Sequence, residues 1–282
     1  MRKHTMGLLA MAAASTLALS ACGGSEVGEP TEEDTAAGGG EGITIGIKYD
    51  QPGLGLQDGA EYTGFDVDVA RYVANELGYS EDQITFTETP SANRESMLQN
   101  GDVDMIFATY SITDERKEVI DFAGPYFVAG QDLLVAADNT DITGPEDLEG
   151  KNLCSVTGST SAEKIKTDYA EGVQLLERPG YAECVTALSA GQVDAVTTDD
   201  IILAGLAAAN GEGNLKVVGN PFSEERYGVG LPKGSDMCED INTAITKMID
   251  DGTWEELVAA NTEGADYTPN ADLNPPTPDA CA

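Results

Sequence analysis

Histidine is all but missing: the chain has one, His4. If the N-terminus is cleaved, as its composition implies, none remains. That excludes Ser-His-Asp and Cys-His catalysis and every metal site that needs imidazole. Positive charge is also scarce. Only 15 Lys and Arg stand against 50 Asp and Glu, a formal net charge of −35 over 282 residues. Such a surface repels phosphate backbones and excludes a nucleic-acid partner. Long apolar runs are lacking as well. Beyond the N-terminus the longest, Ile201 to Ala209, has nine residues, about half of what a bilayer span requires. There is no Cys-x-x-Cys pair, so neither a metal nor a cofactor is expected. The length itself allows one or two domains of about 100–200 residues each.

The N-terminus reads as an export signal. Arg2, Lys3 and His4 form a basic start, and Met6 to Ser20 is an uncharged, mostly apolar stretch, too short to span comfortably. Leu19-Ser20-Ala21-Cys22, followed by two glycines, resembles the lipobox of bacterial lipoproteins. It implies cleavage after residue 21 and a lipid on Cys22, with an ordinary secretory signal as the alternative. Cleavage removes two cations and no acid, moving the net charge from −35 to −37. Residues 23–42 hold seven glycines, six acids and no base and are expected to form a flexible tether. Four cysteines follow, at 154, 184, 238 and 281. An even count in an exported chain points to two disulfides. Three connectivities are possible; Cys154–Cys184 with Cys238–Cys281 is preferred, because each closes a loop within one region.

From Ile43 onward, strand-like runs alternate with helical stripes. Ile43–Lys48, Ile84–Thr89, Val103–Ala108, Leu153–Val156, Val173–Leu176, Val193–Thr197 and Tyr227–Leu231 read as strands. Asp66–Leu77, Arg94–Asn100, Thr160–Tyr169, Tyr181–Ala190, Ile201–Ala209, Asp236–Ile249 and Trp254–Asn261 read as helices. This is an α/β pattern with largely parallel sheets. The proline-rich end, 269–282, is expected to be irregular and pinned by Cys281. An internal echo links Leu98-Gln-Asn-Gly-Asp-Val-Asp104 with Leu188-Ser-Ala-Gly-Gln-Val-Asp194, 90 residues on. In each copy a helix stops at glycine and a strand follows, so two similar lobes are expected. Ligands of open α/β sheets sit beyond the carboxyl ends of strands. Thr109 and Asp199 fall there, one per lobe. Arg116, at the mouth after the strand ending at Ala108, carries a planar guanidinium suited to a carboxylate; pairing with a surface acid is its alternative role.

Gly64-Phe-Asp-Val-Asp-Val69, Leu98–Asp104, Ser111-Ile-Thr-Asp-Glu-Arg116, Ile120-Asp-Phe-Ala-Gly-Pro-Tyr126 and Tyr227-Gly-Val-Gly-Leu-Pro-Lys-Gly-Ser235 occur in an order that resembles the family 3 extracellular solute-binding proteins of polar amino-acid ABC importers. The run Lys48-Tyr-Asp-Gln-Pro-Gly-Leu-Gly55 is similar to the actinobacterial glutamate-binding lipoproteins. The resemblance covers about Ile43 to Asn261. It implies a two-lobed periplasmic-binding-protein-like (type II) α/β fold, each lobe a mostly parallel sheet flanked by helices, with the ligand in the interlobe cleft. Residues 43–130 and 225–268 would form one lobe and 131–224 the other.

The resemblance also implies roles. Arg116, with Thr109 and Ser111, would hold the ligand α-carboxylate, completed by Gly158, Ser159 and Thr160 at a helix N-terminus; Ser159 also reads simply as a helix cap. Asp199 would receive the α-ammonium, its alternative being a cap for the helix from Ile201. Asp66 and Asp68 read as structural, at a helix start. Lys48, Ser91 and Arg94 would face the ligand side chain. A neutral side chain would leave two buried cations unpartnered, which is costly, so glutamate fits best, aspartate next and glutamine less well. Surface pairing of Lys48 and Arg94 with Asp50 or Glu95 is the alternative. The expected partners are a free amino acid, ABC permease subunits and, through lipid, the outer face of the bacterial cell membrane, with the chain a monomer. An enzyme of the same fold would need an acid or base left over for proton transfer, and every polar group placed in the cleft already matches a ground-state charge. A ligand sensor would use the same closure.

Overall fold

The structure, a computed structural model, describes residues 42–169, 172–210 and 213–281. The expected signal segment, Cys22 and the tether through residue 41 lie outside the described residues. The chain runs through β1 (Ile43–Ile47), a small antiparallel sheet of β2 (Asp50–Gln51), β3 (Gly55–Asp58) and β4 (Glu61–Thr63), then α1 (Phe65–Glu76), β5 (Ile84–Glu88), α2 (Arg94–Asn100), β6 (Met105–Phe107), the short α3 (Asp114–Lys117) and β7 (Asp121–Ala129). There follow β8 (Gln131–Ala136), β9 (Asn152–Val156), α4 (Thr160–Asp168), β10 (Gln174–Arg178), α5 (Tyr181–Ser189), β11 (Ala195–Asp199), α6 (Asp200–Asn210) and β12 (Leu215–Val217). The chain then returns through β13 (Glu225–Leu231), α7 (Cys238–Asp250) and α8 (Thr253–Asn261).

Two five-stranded sheets result, in the orders β5-β1-β6-β13-β7 and β10-β9-β11-β8-β12. In the first, β5, β1 and β6 are parallel and β13 runs against both β6 and β7. In the second, β10, β9 and β11 are parallel and β8 runs against β11 and β12. Each sheet is therefore mixed, with four strands in one direction and one reversed. The chain passes between the sheets twice, at Gly130 and over residues 218–224. The two passages are bonded: Phe222 donates its N–H to the Gln131 carbonyl at 2.9 Å. Strands β7 and β8 are missing from the sequence-based reading. Pro125 argues against a central strand, but β7 is a sheet edge, where proline is tolerated.

The sequence echo is a structural repeat. After α2, Gly101 N–H bonds the Leu98 carbonyl and Asp102 N–H the Met97 carbonyl; after α5, Gly191 bonds Leu188 and Gln192 bonds Ala187. Both are Schellman endings with glycine in the left-handed region. Asp104 then accepts from the Thr44 amide at 2.7 Å, and Asp194 from the Asn152 amide at 2.8 Å. Each echoed aspartate thus ties the incoming strand to its neighbour, which fixes where the strand ends at the cleft.

The core of the first sheet gathers Phe65, Tyr126, Phe127 and the only tryptophan, Trp254, whose indole donates to the Tyr126 carbonyl at 2.8 Å. Beyond α8 the chain closes over edge strand β7. The Asn274 amide bonds both the N–H and the carbonyl of Val128, and Asp279 N–H bonds the Gly124 carbonyl. Disulfides join Cys154 to Cys184 and Cys238 to Cys281, with Cα atoms 5.5 and 5.9 Å apart. Loop closure by Cys238–Cys281 stabilises by roughly 4 kcal/mol on the chain-entropy account. The Cys238→Ser, Cys281→Ser double variant should therefore unfold about 8–16 °C lower in a thermal scan; an unchanged midpoint would mean that the hydrogen bonds alone hold the tail. Among the described residues, no helix is long and apolar enough to cross a membrane.

Candidate functional site

Lys48 directly follows β1, and Arg94 opens α2. Both are 3% exposed. The Lys48 ammonium donates to Ser91 Oγ at 2.8 Å. Arg94 donates from Nη1 to the Ala108 carbonyl at 2.9 Å, its plane lies 4.1 Å from the Tyr110 ring centre, and its Nε has no hydrogen-bond partner among the described residues. Neither cation forms an ion pair there, with Asp50, Glu95 or any other described carboxylate. Burial, then repulsion from Arg94, lowers the Lys48 pKa to about 7. Burial, then repulsion from Arg116, lowers that of Arg94 to about 10. Burial and a positive neighbour disfavour the charged form of each, the electrostatic cost that a bound anion relieves.

Thr109 and Ser111 lie just beyond β6. Thr109 is a non-glycine residue with φ of 45°, a sparsely populated conformation. Asp66, on the first turn of α1, holds it: its carboxylate accepts from Thr109 N–H at 2.7 Å and from the Tyr126 hydroxyl at 2.8 Å. Asp66 is structural, as its sequence position implies, but it braces a strand end 43 residues away. The Thr109 hydroxyl reaches the Ala108 carbonyl and lies 3.2 Å from Gln51 Oε1.

Arg116, on α3, reaches across the cleft. Nη1 donates to the Ser111 carbonyl at 2.7 Å and Nη2 to the Gly158 carbonyl at 3.1 Å, while Nε pairs with Glu95 at 3.1 Å. One N–H on each terminal nitrogen is left uncommitted. The two backbones nearly touch here: a Cβ on Gly158 would sit 2.7 Å from Ala92 Cα. The Ser111 and Thr160 hydroxyls are 3.3 Å apart. A groove of about 640 Å³ opens beside them, lined by Ser91, Glu95, Arg116, Gly158, Ser159 and Thr160 among others.

Ser159 caps α4, accepting from Ala162 N–H at 3.0 Å and donating to the Val156 carbonyl at 2.7 Å. Asp199 is the last residue of β11 and is no helix cap. Asp200, the first residue of α6, accepts from Ile201 N–H at 2.7 Å and from the Tyr267 hydroxyl at 3.3 Å. The Asp199 carboxylate instead accepts from the Tyr227 hydroxyl at 2.6 Å and lies 3.5 Å from Ser161 Oγ. Burial, with Glu225 and Asp200 nearby, pushes its pKa well above the usual carboxylate range.

The nine sequence-predicted residues thus fall into three groups: Lys48, Ser91 and Arg94; Thr109, Ser111, Arg116, Ser159 and Thr160 where the lobes meet; and Asp199 beneath Tyr227. Tyr110, Ser161 and Tyr227 were not foreseen; Glu95 was named only as an alternative partner of Lys48 or Arg94, whereas it pairs with Arg116, which thus has the acid partner given as its alternative role. Their side chains meet the site through tertiary contacts that no spacing encodes. Glu95 and Asp66 also add negative charge near the site's cations. The case for an anionic ligand therefore rests on the unpartnered state of Lys48 and Arg94, and not on net charge.

Buried carboxyls also set how stability depends on pH. Burial raises Asp66 and Asp200 from 3.8 to about 6. Between those pH values the folded state binds more protons than the unfolded one. Their contribution is therefore full below 3.8 and lost as pH rises through 6. Lys48, lowered to about 7, acts above that pH. Acidifying the ligand-free protein from about pH 7.5 to 5 should raise its melting temperature, with a gain of about 1.4 kcal/mol of stability per carboxyl over that range. A falling midpoint in a thermal scan over that range would contradict this account.

The profile of the bacterial extracellular solute-binding proteins, family 3, matches residues 43–262. The glutamate-binding protein GluB of Corynebacterium efficiens is 46% identical over 269 residues, covering 90% of each chain. The ABC transporter glutamine-binding protein GlnH of Bacillus subtilis is 38% identical, covering 90% of this chain and 96% of its own. Among solved structures, the GluR0 ligand-binding core from Nostoc punctiforme in complex with L-glutamate superposes with a TM-score of 0.69 at 30% identity, covering 77% of this chain and 98% of that one. Fold, motif order and these likenesses agree: the chain belongs to the family 3 bacterial extracellular solute-binding proteins.

Proposed function

We propose that the chain is the substrate-binding lipoprotein of an ABC amino-acid importer, exported, held to the outer face of the cell membrane by lipid on Cys22, and specific for glutamate, with aspartate next. Lobe 1 is 43–130 with 225–268, and lobe 2 is 131–224. The lobes close on the free amino acid and present it to the permease without transforming it. Arg116, with Thr109, Ser111, Ser159 and Thr160, takes the α-carboxylate; Asp199 takes the α-ammonium; Lys48, Ser91 and Arg94 take the side-chain carboxylate.

One observation carries the acidic specificity: Lys48 and Arg94 are 3% exposed and have no carboxylate partner among the described residues. A side-chain amide offers them no charge, and leaving two buried cations uncompensated is expensive. The glutamine-binding relative makes a neutral ligand the reading to beat. Calorimetric titration of the ligand-stripped protein with glutamate, aspartate, glutamine and the glutamate α-amide separates them. Glutamate should bind most tightly and the α-amide weakly; tighter binding of glutamine would reverse the assignment.

A further inference from the structure

Tyr110 stands under both arginines of the candidate site. The Arg94 guanidinium carbon lies 4.1 Å from its ring centre and that of Arg116 4.8 Å, both within the range where a cation is drawn to an aromatic face. The residue is fully buried. Its ring packs edge-on against Phe122 at 5.0 Å, and its carbonyl accepts from Gly228 N–H on β13 at 2.9 Å, so the platform is fixed. Its hydroxyl makes no hydrogen bond of good geometry among the described residues, and Glu95 is its charged neighbour.

We propose that Tyr110 is a positioning residue for ligand capture: its ring orders the Arg94 and Arg116 guanidiniums before the ligand binds, and gives Arg94 a contact that is not a counter-ion. This rests on the reading of the cleft as an acidic amino-acid site. Two like charges brought together in a dry site repel, and Arg94 has only one hydrogen bond to fix it. Glu95 already pairs with Arg116; a further carboxylate in place of the ring would pair with Arg94 as well and occupy the charge that the ligand needs. An aromatic face offers partial negative charge and no counter-ion. It orders the guanidiniums before the ligand arrives, which lowers the ordering cost of binding.

Four proteins test this by calorimetry with glutamate and glutamine: wild type, Tyr110→Phe, Tyr110→Leu, and the chain with pentafluorophenylalanine in place of Tyr110. Thermal unfolding checks the fold of each. Tyr110→Phe should bind glutamate within a factor of about three of wild type, since the hydroxyl it removes makes no hydrogen bond of good geometry. Tyr110→Leu should lose about 5- to 30-fold, more for glutamate than for glutamine. Pentafluorophenylalanine keeps the ring shape but reverses the charge of its face, and should lose as much; it decides the matter if Tyr110→Leu does not fold. Wild-type affinity in either ring-disrupted protein would overturn the proposal. So would a loss in Tyr110→Phe as large as in Tyr110→Leu, which would assign the effect to the hydroxyl. A wild-type protein that binds no glutamate would instead overturn the functional reading, and this role with it.

Discussion

Arg94→Met should weaken glutamate binding by about 2–5 kcal/mol and glutamine binding far less, while leaving the ligand-free protein as stable as before or more so. The first effect follows from losing the partner of a desolvated carboxylate. The second follows from how Arg94 is buried. Arg94 is buried with one hydrogen bond, an unpartnered Nε and another guanidinium near enough to lower its pKa. Replacing such a charge with an apolar side chain of similar length removes a burial cost. Gain in stability with loss of binding is the signature of a residue kept for its ligand. A structural arginine would show the opposite: a lower melting temperature and equal losses for both amino acids. Arg116→Ala should abolish binding of every α-amino acid tested, because the proposed reading has it hold the α-carboxylate they share.

The preference for glutamate over glutamine should itself fall as pH rises above about 7. Burial brings the Lys48 pKa to about 7 in the ligand-free cleft. A bound side-chain carboxylate favours the charged ammonium and raises that value again. Between the two values, glutamate must take up a proton to bind and loses up to about tenfold in affinity per pH unit. Glutamine, without the carboxylate, has no such requirement. Any proton released by Asp199 on meeting the α-ammonium is common to both ligands and cancels in the comparison. Titrations of both amino acids at pH 6.5, 7.5 and 8.5 give the ratio directly, and Lys48→Met should flatten it. A ratio independent of pH in the wild type would place Lys48 away from the ligand side chain.

Much of this was legible in the sequence because it is written in local signals. The helix ends at Gly101 and Gly191, the Val-Asp strand starts and the 90-residue echo are short-range, and they predicted the paired sheets. Other features depend on distant chain meeting distant chain. The reversed strands β13 and β8 join their sheets only because the chain crosses between lobes, and β7 hides its strand character behind Pro125. The Asp66 brace on Thr109, the Glu95 partner of Arg116 and the Tyr110 platform are side-chain contacts set by packing. Asp199 illustrates both halves. Its place at a strand end was predictable, whereas the hydrogen bond it accepts from the Tyr227 hydroxyl joins residues 28 apart in the chain.

The central claim is that Lys48 and Arg94, buried and without a carboxylate partner among the described residues, receive a carboxylate from the ligand side chain. A crystal structure of the protein grown with equal concentrations of glutamate and glutamine tests it most directly. The account predicts glutamate in the cleft, its side-chain carboxylate within hydrogen-bond reach of Lys48 Nζ and the Arg94 guanidinium, and its α-carboxylate on Arg116. Glutamine in that place, or a ligand whose side chain turns away from both cations, would contradict it.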